Sequence, residues 1–247
     1  MNILKLIIKW RYTVAKVDGD DYLKIGGFNK LTTQDFPGNL ACIIFTNGCN
    51  FDCSYCYNRD LVDNKAEEIS EEEIFSYLNQ RKKMLDGVVI SGGEPTIWND
   101  LIPFMEKVKE LGLKIKLDTN GYRPDVLKEI IDKNLVDYIA MDIKTLFNEY
   151  YKIINKKIDT DKLIESIKLI KASKVDHEFR TTIIKGFHTV EDLDKIVDVI
   201  DGSPYYLQNF RMEDTVNDKK LFGFTEEELN EIKEHFKNKP SVTVRYV

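Results

Sequence analysis

Two periods of apolar residues alternate along this chain. Short continuous runs occur at 41–46 (ACIIFT), 87–91 (GVVIS), 114–118 (KIKLD), 138–144 (YIAMDIK), 178–184 (EFRTTII) and 205–210 (YYLQNF). Each is bounded by polar or glycine-rich residues and reads as a buried strand. Between them lie stretches whose apolar positions recur at helical spacing, at 70–85, 99–112, 124–134, 160–173 and 190–201. Ser70 with Glu73 forms a capping-box pattern at the start of the first helix. A last helix is expected near 225–238, followed by a short apolar run at 241–247. Strands alternating with helices predict parallel β/α units, arranged as an open sheet or a partial barrel. Residues 1–34 fall outside the repeat and read as an N-terminal extension, with residues 35–247 forming one domain.

Composition narrows the function classes. The chain has 247 residues, 43% hydrophobic and 32% charged, enough for one substantial core. A net charge of -6 argues against whole-surface attraction to nucleic acid or an anionic membrane. The N-terminal apolar run, MNILKLIIKWRYTVAK, is broken by Lys5 and Lys9. It is too short to span a bilayer and has no small-residue cleavage site. Four cysteines are too few for a disulfide scaffold, so a reducing, cytoplasmic setting is expected.

The unusual polar and glycine-rich clusters all follow the ends of expected strands. NGCNFDC follows the first, GGEP the second, DTNG the third, DIK the fourth and QNFR the sixth. In parallel α/β folds that edge is where binding and catalysis gather.

Cys49, Cys53 and Cys56 have the spacing C-x3-C-x2-C. A disulfide would leave one thiol over. A structural zinc site needs a fourth ligand. Cys42 lies inside an apolar strand, where a core thiol is the ordinary expectation, so only a nearby carboxylate remains. A [4Fe-4S] cluster held by three thiolates, with its fourth iron open, fits the loop better.

With Tyr55 before its last cysteine, this motif resembles the radical S-adenosylmethionine superfamily. The run 35–58 (DFPGNLACIIFTNGCNFDCSYCYN), with DTNG and DIK, resembles in particular its glycyl-radical-enzyme activases, most of all those serving anaerobic ribonucleotide reductase. The resemblance implies a partial (β/α)6 barrel, a single domain with a short N-terminal extension. It implies that Cys49, Cys53 and Cys56 ligate a [4Fe-4S] cluster. The open iron is then chelated by the methionine end of S-adenosyl-L-methionine. Reduction splits that cofactor to methionine and a 5′-deoxyadenosyl radical. Cofactor contacts carry over to Tyr55, Tyr57, Gly92, Gly93, Glu94, Asn120, Asp142 and Lys144. Family members often have His where this chain has Tyr57, which leaves the contact of that side chain open.

The implied activity is an anaerobic oxidoreductase step that places a glycyl radical on a partner enzyme. The implied partners are that glycyl-radical enzyme, such as anaerobic ribonucleotide reductase, and a low-potential electron donor such as flavodoxin or ferredoxin. Two alternatives stay open: a radical enzyme acting on a small molecule or RNA base, as in deazaguanine synthesis, and a non-catalytic iron–sulfur or zinc module. The second would leave GGEP, DTNG and DIK without a use. Arg180, Lys185, His188, Gln208 and Arg211 are further residues near the same edge, and His177 and His235 are given no role.

Overall fold

The protein is described by a computed structural model covering residues 22–245; the N-terminal apolar run lies outside the described residues. The elements in chain order are β1 (Ile25–Thr32), β2 (Ala41–Thr46), α1 (Arg59–Val62), α2 (Glu71–Arg81), β3 (Gly87–Gly92) and α3 (Leu101–Glu110). They continue with β4 (Lys114–Thr119), α4 (Pro124–Asp132), β5 (Tyr138–Asp142), α5 (Tyr150–Ile154), α6 (Asp161–Ala172) and β6 (Asp176–Ile183). The chain closes with α7 (Val190–Ile200), β7 (Tyr205–Asn209), α8 (Glu226–His235) and β8 (Val242–Arg245).

All six expected strands are present as β2 to β7, paired in parallel and in chain order. Two more strands lengthen the sheet. The 241–247 run supplies β8, parallel to β7. Residues 25–32, read from the sequence as part of an extension, form β1 and pair antiparallel with β2. The order runs β1 to β8 without returning, so the sheet is an unclosed barrel with a gap between its edge strands. The short helices α1 and α5 were not expected. Each is four or five residues long, below the length at which helical periodicity can be read.

Helix starts follow local chemistry. The hydroxyl of Ser70 accepts from Glu73 N–H at 3.1 Å, the hydroxyl half of the expected box. Full capping boxes form at Thr189 with Asp192 and at Thr225 with Glu228. No helix among the described residues is long and apolar enough to cross a membrane.

The strands bury two different faces. Cys42, Ile44, Val88, Ile90, Ile115, Leu117, Ile139 and Met141 point outward against the helices and are fully buried in the main core. Burying such aliphatic side chains contributes about 1.5–3 kcal/mol each. The alternate residues face inward. There Phe36, Ala41, Ile43 and Val89 form a small separate apolar layer, flanked by Phe45 and Tyr138. Nearer the strands' C-terminal ends the inner face turns polar, through Ser91, Asp118, Asp142, Arg180 and Gln208. That polar layer is the floor of the site.

Candidate active site

The cysteine loop begins where β2 ends, and it is tied at its root to the loop after β3. Gly93 N–H donates to Thr46 O at 2.8 Å, and Glu94 N–H donates to Gly48 O at 2.9 Å. These contacts explain the paired glycines. A Cβ at Gly93 would sit 1.8 Å from Gly48 O, and one at Gly92 (φ +116°) would sit 2.2 Å from Thr46 N. Ser54 N–H donates to Ile153 O at 3.0 Å, which anchors the far side of the cysteine loop to α5. Phe51 packs against Tyr122 and Tyr150.

Cys49, Cys53 and Cys56 open into one cavity of about 400 Å³, shared with Gly92, Gly93, Glu94, Asn120, Asp142 and Lys144. Cys42 is buried on the outer face and does not line it. Burial pushes the Cys49 thiol up to about 12 and the Cys53 thiol up to about 11, and it raises Cys56 as well. Burial thus favours the protonated thiols, and binding of a metal releases protons. Among the described residues no three His, Cys, Asp or Glu side chains converge on a single-ion site. Three thiols spaced around one cavity match a cluster whose irons each take one ligand. The donor set and the cavity fit a [4Fe-4S] group.

Glu94 is buried, and its carboxylate joins two strand ends. Oε1 accepts from Thr96 N–H and from the hydroxyls of Thr96 and Thr119, while Oε2 accepts from Asn120 N–H at 2.7 Å. Burial raises its pKa, against the pull of those donors. Oε2 carries a single bond and keeps capacity for one more donor. Asn120 is likewise engaged: its amide donates to Asn50 Oδ1 at 2.7 Å and its carbonyl accepts from Tyr122 N–H at 3.0 Å. It thereby fastens the DTNG turn to the cysteine loop.

The charged floor centres on Arg180, one of the residues the sequence left undecided. Its Nε donates to Asp142 Oδ1 at 2.8 Å, and Nη1 reaches Asp118 Oδ2 at 3.4 Å. Lys144 Nζ donates to the other oxygen of Asp142 at 2.9 Å, and Lys116 pairs with Asp118. Burial opposes ionisation of Asp142, but Arg180 and Lys144 outweigh it and hold the carboxyl well below the usual range. Lys144 is held charged mainly by Asp142, against its own desolvation. Alternating charges on this floor suit a ligand that carries an ammonium and a carboxylate together.

Tyr55 is buried beneath Lys144, whose Nζ lies 5.9 Å from its ring centre, and the Tyr55 hydroxyl has no hydrogen-bond partner. Tyr57 lines the cavity but leans across it. Its ring stacks on Phe210 at 5.8 Å, and its hydroxyl accepts from Arg211 N–H at 3.0 Å.

The other undecided residues divide cleanly. Gln208 joins Arg180 in lining the cavity. Lys185 pairs with Glu228, Arg211 lies on an exposed loop and His188 is buried outside the cavity. His177 and His235 hold local contacts with Ser203 and Asp194. Sequence reasoning gave Asp118 no place of its own in the charged floor. Its signal was the inward-facing period of β4, where Lys116 and Asp118 alternate with the apolar Ile115 and Leu117.

The chain is similar to known proteins across this region. The family model described as the Radical SAM superfamily matches residues 43–200. A protein of Methanocaldococcus jannaschii, provisionally named a glycyl-radical enzyme activating enzyme, is 34% identical over 216 residues, covering 84% of this chain and 89% of its own. The pyruvate formate-lyase 1-activating enzyme of Escherichia coli K12 is 27% identical over 178 residues, 68% of this chain and 71% of its own. Among solved structures, Streptococcus suis SuiB bound to S-adenosylmethionine shares the fold with a TM-score of 0.65 at 15% identity. That match covers 81% of this chain, which spans about half (48%) of SuiB. A radical SAM methyltransferase of Sphaerobacter thermophilus gives a TM-score of 0.67 at 14% identity, over 87% of this chain and 68% of its own. The matched span carries the cysteine loop and the three loops after β3, β4 and β5, and this chain belongs to the radical SAM superfamily, using a [4Fe-4S] cluster with S-adenosylmethionine.

Proposed function

We propose that this radical SAM enzyme activates a glycyl-radical enzyme, forming a radical at Cα of one glycine in a partner such as anaerobic ribonucleotide reductase. The observation that carries the reading is the shape of the cavity. It runs from the cysteine loop after β2 across to Gln208 and Asn209 at the end of β7, the strand next to the edge strand β8 of the unclosed sheet. A glycine-containing loop entering there meets no side chain of its own at the reacting carbon and tolerates unusual dihedrals. The activating enzymes among the relatives support the same reading.

In this reading Cys49, Cys53 and Cys56 would hold the cluster. When bound, the cluster and S-adenosylmethionine supply reductive cleavage of the sulfonium to methionine and a 5′-deoxyadenosyl radical. The chain's residues bind and orient. Glu94 would hold the cofactor's amino group, Asp142 and Lys144 would hold its polar end, and Asn120 holds the adjoining turn against the cysteine loop. Gly92 and Gly93 keep the cradle narrow, and Tyr55 and Tyr57 wall it. A low-potential flavodoxin or ferredoxin in a reducing, anaerobic cytoplasm supplies the electron.

The test mixes reconstituted protein, reductant, S-adenosylmethionine and the candidate partner. The expected result is a doublet glycyl-radical signal that collapses toward a singlet when the partner's glycine carries deuterium at Cα, with deuterium recovered in 5′-deoxyadenosine. Label recovered only from an added nucleoside or RNA would replace this reading with the small-molecule one.

A further inference from the structure

The residues just after β5 leave the sheet, yet none of their main-chain polar groups is left open. Ile143 N–H donates to Arg180 O at 2.8 Å, and Ile143 O accepts from the Thr181 hydroxyl at 2.6 Å. Lys144 N–H donates to the Tyr150 hydroxyl at 2.9 Å. Lys144 O faces His188 Nε2 at 2.9 Å. Three of these four partners are side chains, which is how a buried chain satisfies its peptide groups as it leaves a sheet.

The His188 tautomer follows from its neighbours. Ile184 N–H donates to Nδ1 at 3.0 Å, and an amide N–H can only donate. Nδ1 therefore carries no proton, and Nε2–H donates to the Lys144 carbonyl. The ring is buried and lines no part of the cavity. Burial lowers its pKa from the usual 6.5, outweighing the Lys144 carbonyl and, more weakly, Asp192 of α7, which favour the proton.

We infer that His188, with Tyr150, is a positioning residue that fixes the Lys144 peptide and so aims the Lys144 ammonium at the cofactor's polar end. This rests on the cofactor site proposed above. Only the neutral ring can serve, because a proton on Nδ1 would face the Ile184 N–H, donor against donor. Asp142 and Lys144 keep their charges through mild acid, and burial favours the neutral ring of His188.

The experiment measures S-adenosylmethionine binding to the cluster-loaded protein by calorimetry at pH 8. Loss of one ordinary hydrogen bond is about a threefold to tenfold change in affinity. His188→Leu should weaken binding by about that factor at pH 8. His188→Gln keeps a donor near the Nε2 position and cannot take up a proton. It should bind nearly as wild type, rescuing what His188→Leu loses. Nitrogen resonances of the three histidines should show one fixed Nε2–H tautomer in the wild type. Wild-type affinity in His188→Leu, with weaker binding in Lys144→Ala, would overturn the clamp and leave the site standing. Wild-type affinity in Lys144→Ala as well would overturn both. Should His188→Leu fail to fold, Tyr150→Phe decides: unchanged affinity there also overturns the clamp.

Discussion

The two faces of one sheet hold this molecule together by different forces. On the outer face of β4 and β5, Ile115, Leu117, Ile139 and Met141 are completely buried against helices. One residue away on the same strands, Lys116, Asp118 and Asp142 join Arg180 in a chain of ion pairs. The outer contacts are non-directional and tolerate exchange of one apolar side chain for another of similar volume. The inner contacts are directional, and each charge is stable only while its partners remain. Scaffold and chemistry therefore alternate at every second residue.

The largest test of that division compares cysteines on either side of it. Cys49→Ala, Cys53→Ala and Cys56→Ala should each abolish stoichiometric iron and sulfide uptake on anaerobic reconstitution. Cys42→Ala, on the outer face, should keep the cluster and lose only about 1 kcal/mol of stability from a small core deletion. Iron uptake by Cys53→Ala at wild-type stoichiometry would break the assignment. So would loss of the cluster from Cys42→Ala.

How much of this was legible in the sequence follows the same split. The outer face writes itself as continuous apolar runs, and β2 to β7 fall where those runs predict. The rim loops were legible because unusual residues crowd there: three cysteines in one short loop, and paired glycines before Glu94. The inner face was not. Asp118 and Arg180 are separated by 62 positions, and only the register of β4, β5 and β6 brings them together. Tyr57 was hidden for a similar reason, since its partners Phe210 and Arg211 lie at the far end of the sheet. β1 escaped because its two glycines and polar residues resemble a loop until β2 supplies a partner.

A second test separates the faces by pH. Arg180→Met takes one of two cationic partners from each of Asp118 and Asp142, and Leu117→Ala leaves a cavity. Each should cost about 3 kcal/mol at pH 7 in urea unfolding. Their acid behaviour should differ. The carboxyl of Asp142 is depressed from its ordinary 3.8, so its stabilising contribution is full above that value and is lost as pH falls below it. Without Arg180 the carboxyl takes up a proton more readily. The deficit of Arg180→Met should therefore shrink between pH 5 and pH 3, while that of Leu117→Ala stays constant. Parallel deficits across that range would mean that the inner face is held by packing after all.

The smallest effect expected belongs to a contact on neither face. Tyr57 follows the third cysteine, yet its side chain reaches the loop after β7, bridging the first and last active-site loops of an unclosed sheet. The bridge has two parts, the stack on Phe210 and the hydrogen bond from Arg211 N–H. Tyr57→Phe keeps the stack and removes the acceptor. A hydrogen bond of this kind is worth about 1 kcal/mol, and the Arg211 amide can turn to water once released because its residue is exposed. Global stability should move by less than that. Local opening is the sensitive measure, since about 1 kcal/mol corresponds to roughly a fivefold faster amide exchange wherever exchange follows the open population. The gain should be confined to the amides of 210–224, with α4 and α6 unchanged. Tyr57→Ala, which loses both parts, should extend the same pattern to the cysteine loop. Unchanged exchange at 210–224 in both variants would show that the two loops are held independently, and that the open side of the sheet is not braced by this residue.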